Sequence, residues 1–340
     1  MNAAYIGILT PGSTSRMRAE CLRELTPGWT WKWIDTDPPM MSSSRFWRSL
    51  AFRANTGRAV DCMNDVVRRA VDGVHLDLAW VDKGVFLRPD TVVRLRRVAR
   101  RLVHFTPDTA FHQNRSRHFR RSAATYDLLV TTKSFEASEY NALVGACKVV
   151  FTTQGYNARV HFPRAADDER RREAIFIGLA EPDRERCVKA LLDHGVAVRL
   201  AGLGWRRFVR DNSGPLLSFE CEELFGDAYA NLLSRSWVGL GLLSKRFPEL
   251  HTTRTFEIPA CGAALATEAT AETTRFLEQD EAVFFRDYHD LAVRLEALLR
   301  EASLSSVAGI AGAGRRRILA DGRDYSSILS AVLANSRIAL

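Results

Sequence analysis

Residues 249–262 read E-L-H-T-T-R-T-F-E-I-P-A-C-G, and the reading of this stretch decides the reading of the rest. Two carboxylates, Glu249 and Glu257, flank a polar run of Thr252, Thr253, Arg254 and Thr255, and the stretch ends in the small residues Ala260, Cys261 and Gly262. The hydroxyl residues predict a helix start capped by Thr252 or Thr253. The helix runs to Cys261, Gly262 stops it, and a buried strand follows over 263–267. Unpaired N–H groups at such a start, with Arg254 beside them, suit an anionic group such as a diphosphate. Glu249, ahead of the turn, reaches past the anion, while Glu257, inside the helix, can accept hydrogen bonds from hydroxyls on its other side. Carboxylate and guanidinium groups at a helix start also answer the macrodipole alone, so the stretch does not by itself prove a site.

Working outward, the flanking sequence alternates between short apolar runs and helical periodicity. Strands are expected at 174–178 and 196–200, with a helix over 184–194 between them; the second strand runs into Gly202-Leu-Gly204. A helix over 223–233 precedes the strand 237–242, which exits at Ser244 and Lys245. The first half repeats the pattern: strand 4–9, a turn holding Gly12, Ser13 and Thr14, a helix whose apolar positions are Met17, Cys21, Leu22 and Leu25, and strands at 29–34, 76–81, 101–105, 126–133 and 148–152. The region 42–71 is helical with a break at Asn55-Thr-Gly57. Alternation of this kind implies α/β architecture with parallel sheets and right-handed crossovers, occurring twice in the chain. The domains are therefore placed at 1–163 and 174–318, joined by a polar linker over 164–173 that lacks apolar periodicity, with a C-terminal helical segment over 319–340.

The spacing of Glu249 and Glu257 resembles the E-x7-E signature of retaining GT-B glycosyltransferases, and R-T-F-E-I-P-A-C-G resembles their CgeB-type, spore-maturation-like branch within the group 1 (family 4-like) enzymes. The resemblance implies two facing Rossmann-like doubly wound domains with a cleft between them. The N-terminal domain would lie on the acceptor side and the C-terminal one on the nucleotide-sugar side, with the last helix crossing back to the first domain. It also implies that Glu249 contacts the donor sugar and Glu257 the nucleotide ribose. Thr153-Gln-Gly-Tyr-Asn157 with His161-Phe162 resembles the family's interdomain segment. The family's G-R-x4-K pattern, laid on Gly178, puts Arg184 at the lysine position but Leu179 where an arginine is expected. Arg254 or Lys245 is the candidate replacement.

The expected reaction is transfer of a sugar from a nucleotide-diphosphate sugar to an acceptor hydroxyl with retention, without a metal or other cofactor. Glu249, Arg254, Arg184 and His104 are the catalytic candidates. Donor binding falls to Glu257, Thr252, Thr253, Lys245, Gly12, Ser13, Thr14 and Gly204. His104 is included because ligands of open α/β sheets bind outside the carboxyl ends of strands. Asp35-Thr36-Asp37 spells D-x-D, a metal-binding pair elsewhere, but acidic residues are ordinary in a turn followed by prolines. An epimerase of the same fold, using His104 and Asp108 as acid and base, is one alternative. A non-catalytic basic module or scaffold on the same fold is another.

Composition narrows the partners. A chain of 340 residues with 46% hydrophobic content fills two cores, and an excess of 48 Lys and Arg over 40 Asp and Glu favours anionic ligands. The basic runs 94–101 and 115–121 are not interleaved with aromatics in a stacking pattern, and no nucleic-acid-binding motif accompanies them, so nucleic acid is not expected. The partners expected are a nucleotide sugar and a glycan, lipid-linked or small-molecule acceptor, with peripheral membrane contact through basic helices also considered. Six scattered cysteines form no C-x-x-C pair and read as reduced, mostly buried thiols. No signal peptide pattern and no apolar run of bilayer length are present, so a soluble cytoplasmic protein is expected, with the inner membrane face as its one alternative site.

Overall fold

The computed structural model describes residues 1–336, so positions 337–340 of the expected C-terminal helix lie outside the described residues. The chain forms two units, Met1–Thr153 with Tyr325–Leu340, and Gln154–Asp324. In the first, β1 (Asn2–Gly7), β2 (Thr30–Asp35), β3 (Leu76–Asp82), β4 (Ala99–Thr106), β5 (Leu128–Thr131) and β6 (Val149–Phe151) form a sheet in the order β2-β1-β3-β4-β5-β6. Every pair is parallel. The crossover helices bury their apolar faces on this sheet, Val67, Val92 and Leu95 packing with Ala79 and Val81 of β3 and Leu102 of β4. The expected break at 55–57 separates the helices Arg45–Ala54 and Arg58–Ala70, with Asn55 left-handed at φ 51°.

A buried ion pair fixes the middle of this unit. Arg18 donates from Nε to Asp82 Oδ2 at 2.7 Å and from Nη2 to Oδ1 at 3.0 Å, and the Tyr5 hydroxyl donates to the same carboxylate at 2.8 Å. The guanidinium also lies 5.7 Å from the ring of Tyr325, the first residue of the helix Tyr325–Asn335, which packs on the helix Thr14–Leu25. Burial pushes the Tyr5 phenol well above its ordinary range, and the Asp82 charge pushes it further.

In the second unit, β7 (Arg171–Ile177), β8 (Val198–Ala201), β9 (Leu217–Phe219), β10 (Ser236–Leu240), β11 (Ala264–Glu268) and β12 (Val283–Phe285) form a sheet in the order β12-β11-β10-β7-β8-β9. All its pairs are parallel too. Ala174 and Phe176 of β7 enter one apolar cluster and Ile175 and Ile177 another, so both faces are covered, as a parallel sheet requires.

Several expectations change. The division falls at Thr153/Gln154, ahead of the expected linker, because the following segment is stitched into the second unit. Gln154 N donates to His251 Nε2 at 2.9 Å, Tyr156 is buried in the core, and Ser234 Oγ donates to Phe162 O at 3.3 Å. Within 164–173, a short turn at Asp167–Glu169 leads into β7, whose first residues are polar because that end of the strand is exposed. The helix Leu304–Ala320 takes in the first two positions of the 319–340 segment. All six cysteines are free, but only Cys187 and Cys261 are buried; Cys62 and Cys147 are exposed.

His104 is sealed in the first core and does not face solvent at the strand's end. It is 1% exposed, stacks on Phe119 at 4.6 Å and meets Tyr126 edge-on. Its Nε2 lies 2.9 Å from Lys83 O, which makes that nitrogen the donor, and Nδ1 is buried without a partner. Burial lowers its pKa from 6.5 to about 4. Because the folded value is the lower one, His104 favours folding above pH 6.5, and that contribution is lost as pH falls towards 4. A shift of this size corresponds to roughly 3 kcal/mol. The melting temperature should therefore fall through this window. His104→Phe should flatten the fall, and an unchanged slope would assign the acid sensitivity to another group.

Candidate functional site

The second unit gathers polar side chains at the carboxyl ends of β7, β10 and β11, where open parallel sheets bind ligands. The backbone there is drawn close. Gly202, just past β8, has φ 124°, and a Cβ at that position would lie 2.1 Å from the Gly178 carbonyl oxygen. The same oxygen accepts the Trp205 indole N–H at 2.8 Å. Gly204, the glycine named from the sequence, has φ 90°, but its Cβ would approach nothing closer than the Ala180 methyl group, at 3.1 Å. The close approach thus belongs to Gly202, two residues earlier.

Over this backbone sit two guanidinium groups. Arg184 and Arg254 lie 5.3 Å and 5.2 Å from the centre of the Phe176 ring. Arg254 Nε donates to Ile177 O at 2.9 Å, and a Cβ on Gly178 would come within 2.5 Å of its Nη2. Arg184 is buried, with Nη1 donating to Leu179 O and paired with Glu181, both at 3.0 Å, while Nε has no protein partner. Burial lowers its pKa, and the neighbouring positive charge of Arg254 adds to the effect. Glu181 also accepts from the Ser244 hydroxyl at 3.1 Å, and Ser244 N donates to Glu249 at 2.8 Å. Glu249, Arg184 and Arg254 are therefore brought into one region, organised by Glu181, Ser244 and Phe176. Lys245 is half-exposed and paired with Glu268 at 2.9 Å.

The helix of the quoted stretch spans Arg254–Ala260. Thr253 makes no side-chain cap; Thr252 Oγ1 instead accepts Arg254 N at 3.1 Å, and Thr252 N donates to Thr255 Oγ1 at 3.2 Å. The open N–H groups expected here are thus largely answered within the turn, and side-chain cations dominate the positive potential. Glu257, buried one turn in, accepts the Tyr229 hydroxyl at 2.7 Å. Its other oxygen lies 3.9 Å from His161 Nε2. Asn157 N donates to His161 Nδ1 at 3.0 Å, so a neutral His161 carries its proton on Nε2, facing the carboxylate. Burial lowers the His161 pKa, against the pull of Glu257, and burial raises the Tyr229 phenol well above its ordinary range.

The remaining candidates stand in the first unit. Gly12 is left-handed at φ 81° and Ser13 caps the helix Thr14–Leu25, its hydroxyl accepting Arg16 N at 3.2 Å and donating to Ile8 O at 3.1 Å. The three residues make a well-formed strand-to-helix turn. Asp35 accepts Leu9 N at 3.1 Å and Asp37 accepts the Thr10 hydroxyl at 3.0 Å, so the D-x-D pair braces that turn. Among the described residues, no three His, Cys, Asp or Glu are gathered to hold a metal ion, and no helix is long and apolar enough to cross a membrane.

Two doubly wound parallel units of this kind make a GT-B fold, and solved structures agree along the whole chain. OtsA in its ligand-free form matches with a TM-score of 0.68 at 12% identity, covering 100% of this chain and 99% of that one. Anabaena HepE, in complex with UDP and glucose, matches at 0.62 and 11%, covering 98% and 99%. A trehalose-6-phosphate synthase studied for glycosyl transfer with retention matches at 0.66 and 12%, covering 99% of each chain. At these identities the likeness is one of fold. By sequence, residues 170–334 match the family described as glycosyl transferase-like, a stretch that contains the whole side-chain cluster above. No curated protein matches the sequence.

The glycine geometry makes an ordered prediction. Gly202→Ala adds a backbone clash to an unfavourable φ and should cost about 3 kcal/mol or more, whereas Gly204→Ala should cost roughly 1–2 kcal/mol. Chemical denaturation of the two variants checks the order, and equal losses would deny Gly202 its special place.

Proposed function

We propose that this chain is a glycosyltransferase that takes a nucleotide-diphosphate sugar and transfers the sugar to an acceptor hydroxyl with retention of anomeric configuration. The observation that carries the reading is the pair of guanidinium groups over Phe176, held by backbone carbonyls and Glu181 beside Glu249 and the buried Glu257. The match of residues 170–334 to a glycosyl transferase-like family supports it, as do the UDP and UDP-glucose held by structures of HepE. A uridine-diphosphate sugar is accordingly the first donor to test. Retention is supported by the similarity to a synthase studied for that outcome. We further propose that no metal is required, the two arginines supplying the charge that balances the diphosphate.

On this reading the bond from the anomeric carbon to the phosphate oxygen breaks and negative charge grows on the diphosphate. Arg184 and Arg254 stabilise that charge most in the transition state because they are placed before it develops. Arg254 takes the part of the cation lost at Leu179, since Lys245 is engaged by Glu268. Glu257 receives the ribose hydroxyls, its carboxylate steadied by Tyr229. Glu249, fixed by Ser244 N, receives hydroxyls of the transferred sugar. The acceptor's proton passes to the leaving phosphate oxygen as the new C–O bond forms on the same face of the sugar.

A thermal-shift panel of nucleotide diphosphates and nucleotide sugars, run without metal, tests the reading first. A ligand that binds raises apparent stability as RT ln(1 + [L]/Kd), and UDP or a UDP-sugar should do so. Arg254→Ala should lower turnover about a hundredfold while the protein stays folded. Glu257→Gln should weaken nucleotide binding roughly tenfold or more. No shift from any nucleotide, or turnover indifferent to Arg254, would overturn the assignment.

A further inference from the structure

The first unit holds a cavity that the donor chemistry does not use. Its volume of about 350 Å³ suits a small molecule, and it lies where the strand order reverses. In the order β2-β1-β3-β4 the chain steps from β1 to β2 on one side and then to β3 on the other, which leaves a crevice at the carboxyl ends of β1 and β3. Ile6 and Ile8 at the end of β1, and Asp82, Lys83 and Gly84 at the end of β3, line it. Among the described residues, the two non-glycine positions with left-handed backbone are Asn55 at φ 51° and Lys83 at φ 65°, and both belong to this lining. Neighbours hold each of them. Asn55 O accepts from His118 Nε2 at 2.6 Å, Lys83 N donates to Phe105 O at 2.8 Å, and Lys83 O accepts from His104 Nε2 at 2.9 Å. Backbone of this kind persists only where its surroundings fix it, and it gathers at ligand sites.

The lining decides the chemistry of the ligand. One part is apolar, with Ile8, Met63, Leu87, Phe52 and Phe86. Phe52, 66% exposed, meets Phe86 at 5.4 Å with the ring planes at 80°. A flat ring laid parallel to one of them is edge-on to the other, so both favoured aromatic geometries are offered at once. The other part is polar. Lys83 Nζ pairs with Asp108 Oδ2 at 2.7 Å while each side chain stays about a third exposed, and Gln113 and Asn114 join them in the lining. Such a pair keeps donor and acceptor capacity for a hydroxyl group. Asp82 contributes only a wall, because Arg18 and Tyr5 occupy its oxygens. A sugar chain would leave hydroxyls without partners against the apolar side chains, and an alkyl chain would make no use of the ion pair.

We propose that this cavity receives the acceptor, and that the acceptor is a small aromatic hydroxy compound. Its ring packs on Phe52 and Phe86 and its polar end meets Lys83 and Asp108. The acceptor role rests on the donor reading above, whereas the cavity's choice of ligand does not.

The probe is naphthol, with maltose and decanol as the contrasting classes. The chain has five methionines, of which Met63 alone lines the cavity, so spectra of isotope-labelled methionine methyl groups read this site directly. With no nucleotide present, naphthol should shift the Met63 signal and leave that of Met1 in place. Phe52→Ala, at an exposed position, should weaken naphthol binding roughly tenfold. Asp108→Asn should weaken it roughly fivefold. With a nucleotide sugar that stabilises the protein, naphthol should be glycosylated, and Phe52→Ala should raise its KM far more than it lowers kcat. An unmoved Met63 signal, a preference for maltose or decanol, or binding indifferent to Phe52 would overturn the inference even where nucleotides bind. Naphthol bound but never glycosylated by a protein that turns the donor over would overturn the acceptor role. Naphthol bound by a protein that ignores every nucleotide would uphold the cavity's ligand and overturn the donor reading instead.

Discussion

Gathering two positive charges over one phenylalanine ring is unfavourable unless something holds them there, and the second unit is built to do so. Arg184 is buried and feels both the loss of water and the charge of Arg254, and each effect lowers its pKa. Glu181, the carbonyls of Ile177 and Leu179, and the face of Phe176 offset that cost. The balance is incomplete: Arg184 Nε has no protein partner, and a like-charge pair remains. An arrangement stabilised only in part by its own protein is one that a bound anion would complete, which is what the proposed role asks of it.

The rest of the unit serves that placement. Arg184 stands in the helix after β7, while Arg254 opens the helix that follows the loop after β10, and β7 and β10 are neighbours in the sheet. Two side chains about 70 residues apart therefore converge because the crossovers of a parallel sheet return each strand in the same direction. The turn at Gly178 must lie low enough for Arg254 to cross it, and Gly202 makes room for the Gly178 carbonyl. Glu257 projects from the same short helix one turn on, and its bond to Tyr229 ties it to the helix Gly226–Ser234 ahead of β10. Cation and carboxylate are thus fixed by different neighbours.

Much of this was legible in the sequence where the signal is local. The alternation of apolar runs and helical periods yields both sheets, and the break at Asn55 and Gly57 falls between two helices. The spacing of Glu249 and Glu257 places one before the helix and one within it. What was not legible depends on distant partners. Glu181 reads as a residue ahead of a helix, and only folding brings it to Ser244, 63 positions away. Of the two caps expected, Thr252 and Thr253, it is Thr252 whose hydroxyl accepts a helix-start N–H, that of Arg254, while Thr253 takes the Phe256 and Glu257 N–H groups through its backbone carbonyl alone. His104 was misplaced for a related reason. It was chosen for its place near a strand's carboxyl end, but β4 runs on to Thr106, and in a sheet covered on both faces a neutral imidazole can turn into the core if one nitrogen finds a carbonyl.

The first unit shows the same logic applied to stability. Asp82 ends β3 at the sheet's ligand-facing edge, the position where a carboxylate would ordinarily be read as functional, yet Arg18 and Tyr5 occupy its oxygens. A buried pair of this kind adds little net stability, but losing one partner strands a charge and typically costs about 3–5 kcal/mol. Its value lies in specifying geometry: only one placement of the helix Thr14–Leu25 lets Arg18 reach both carboxylate oxygens, and that placement also brings the guanidinium to Tyr325. The C-terminal helix is thereby positioned by the same charge that sets the first crossover. Asp82 is thus spent on structure, whereas Glu249 and Glu257 of the other unit are the carboxylates proposed to meet a ligand.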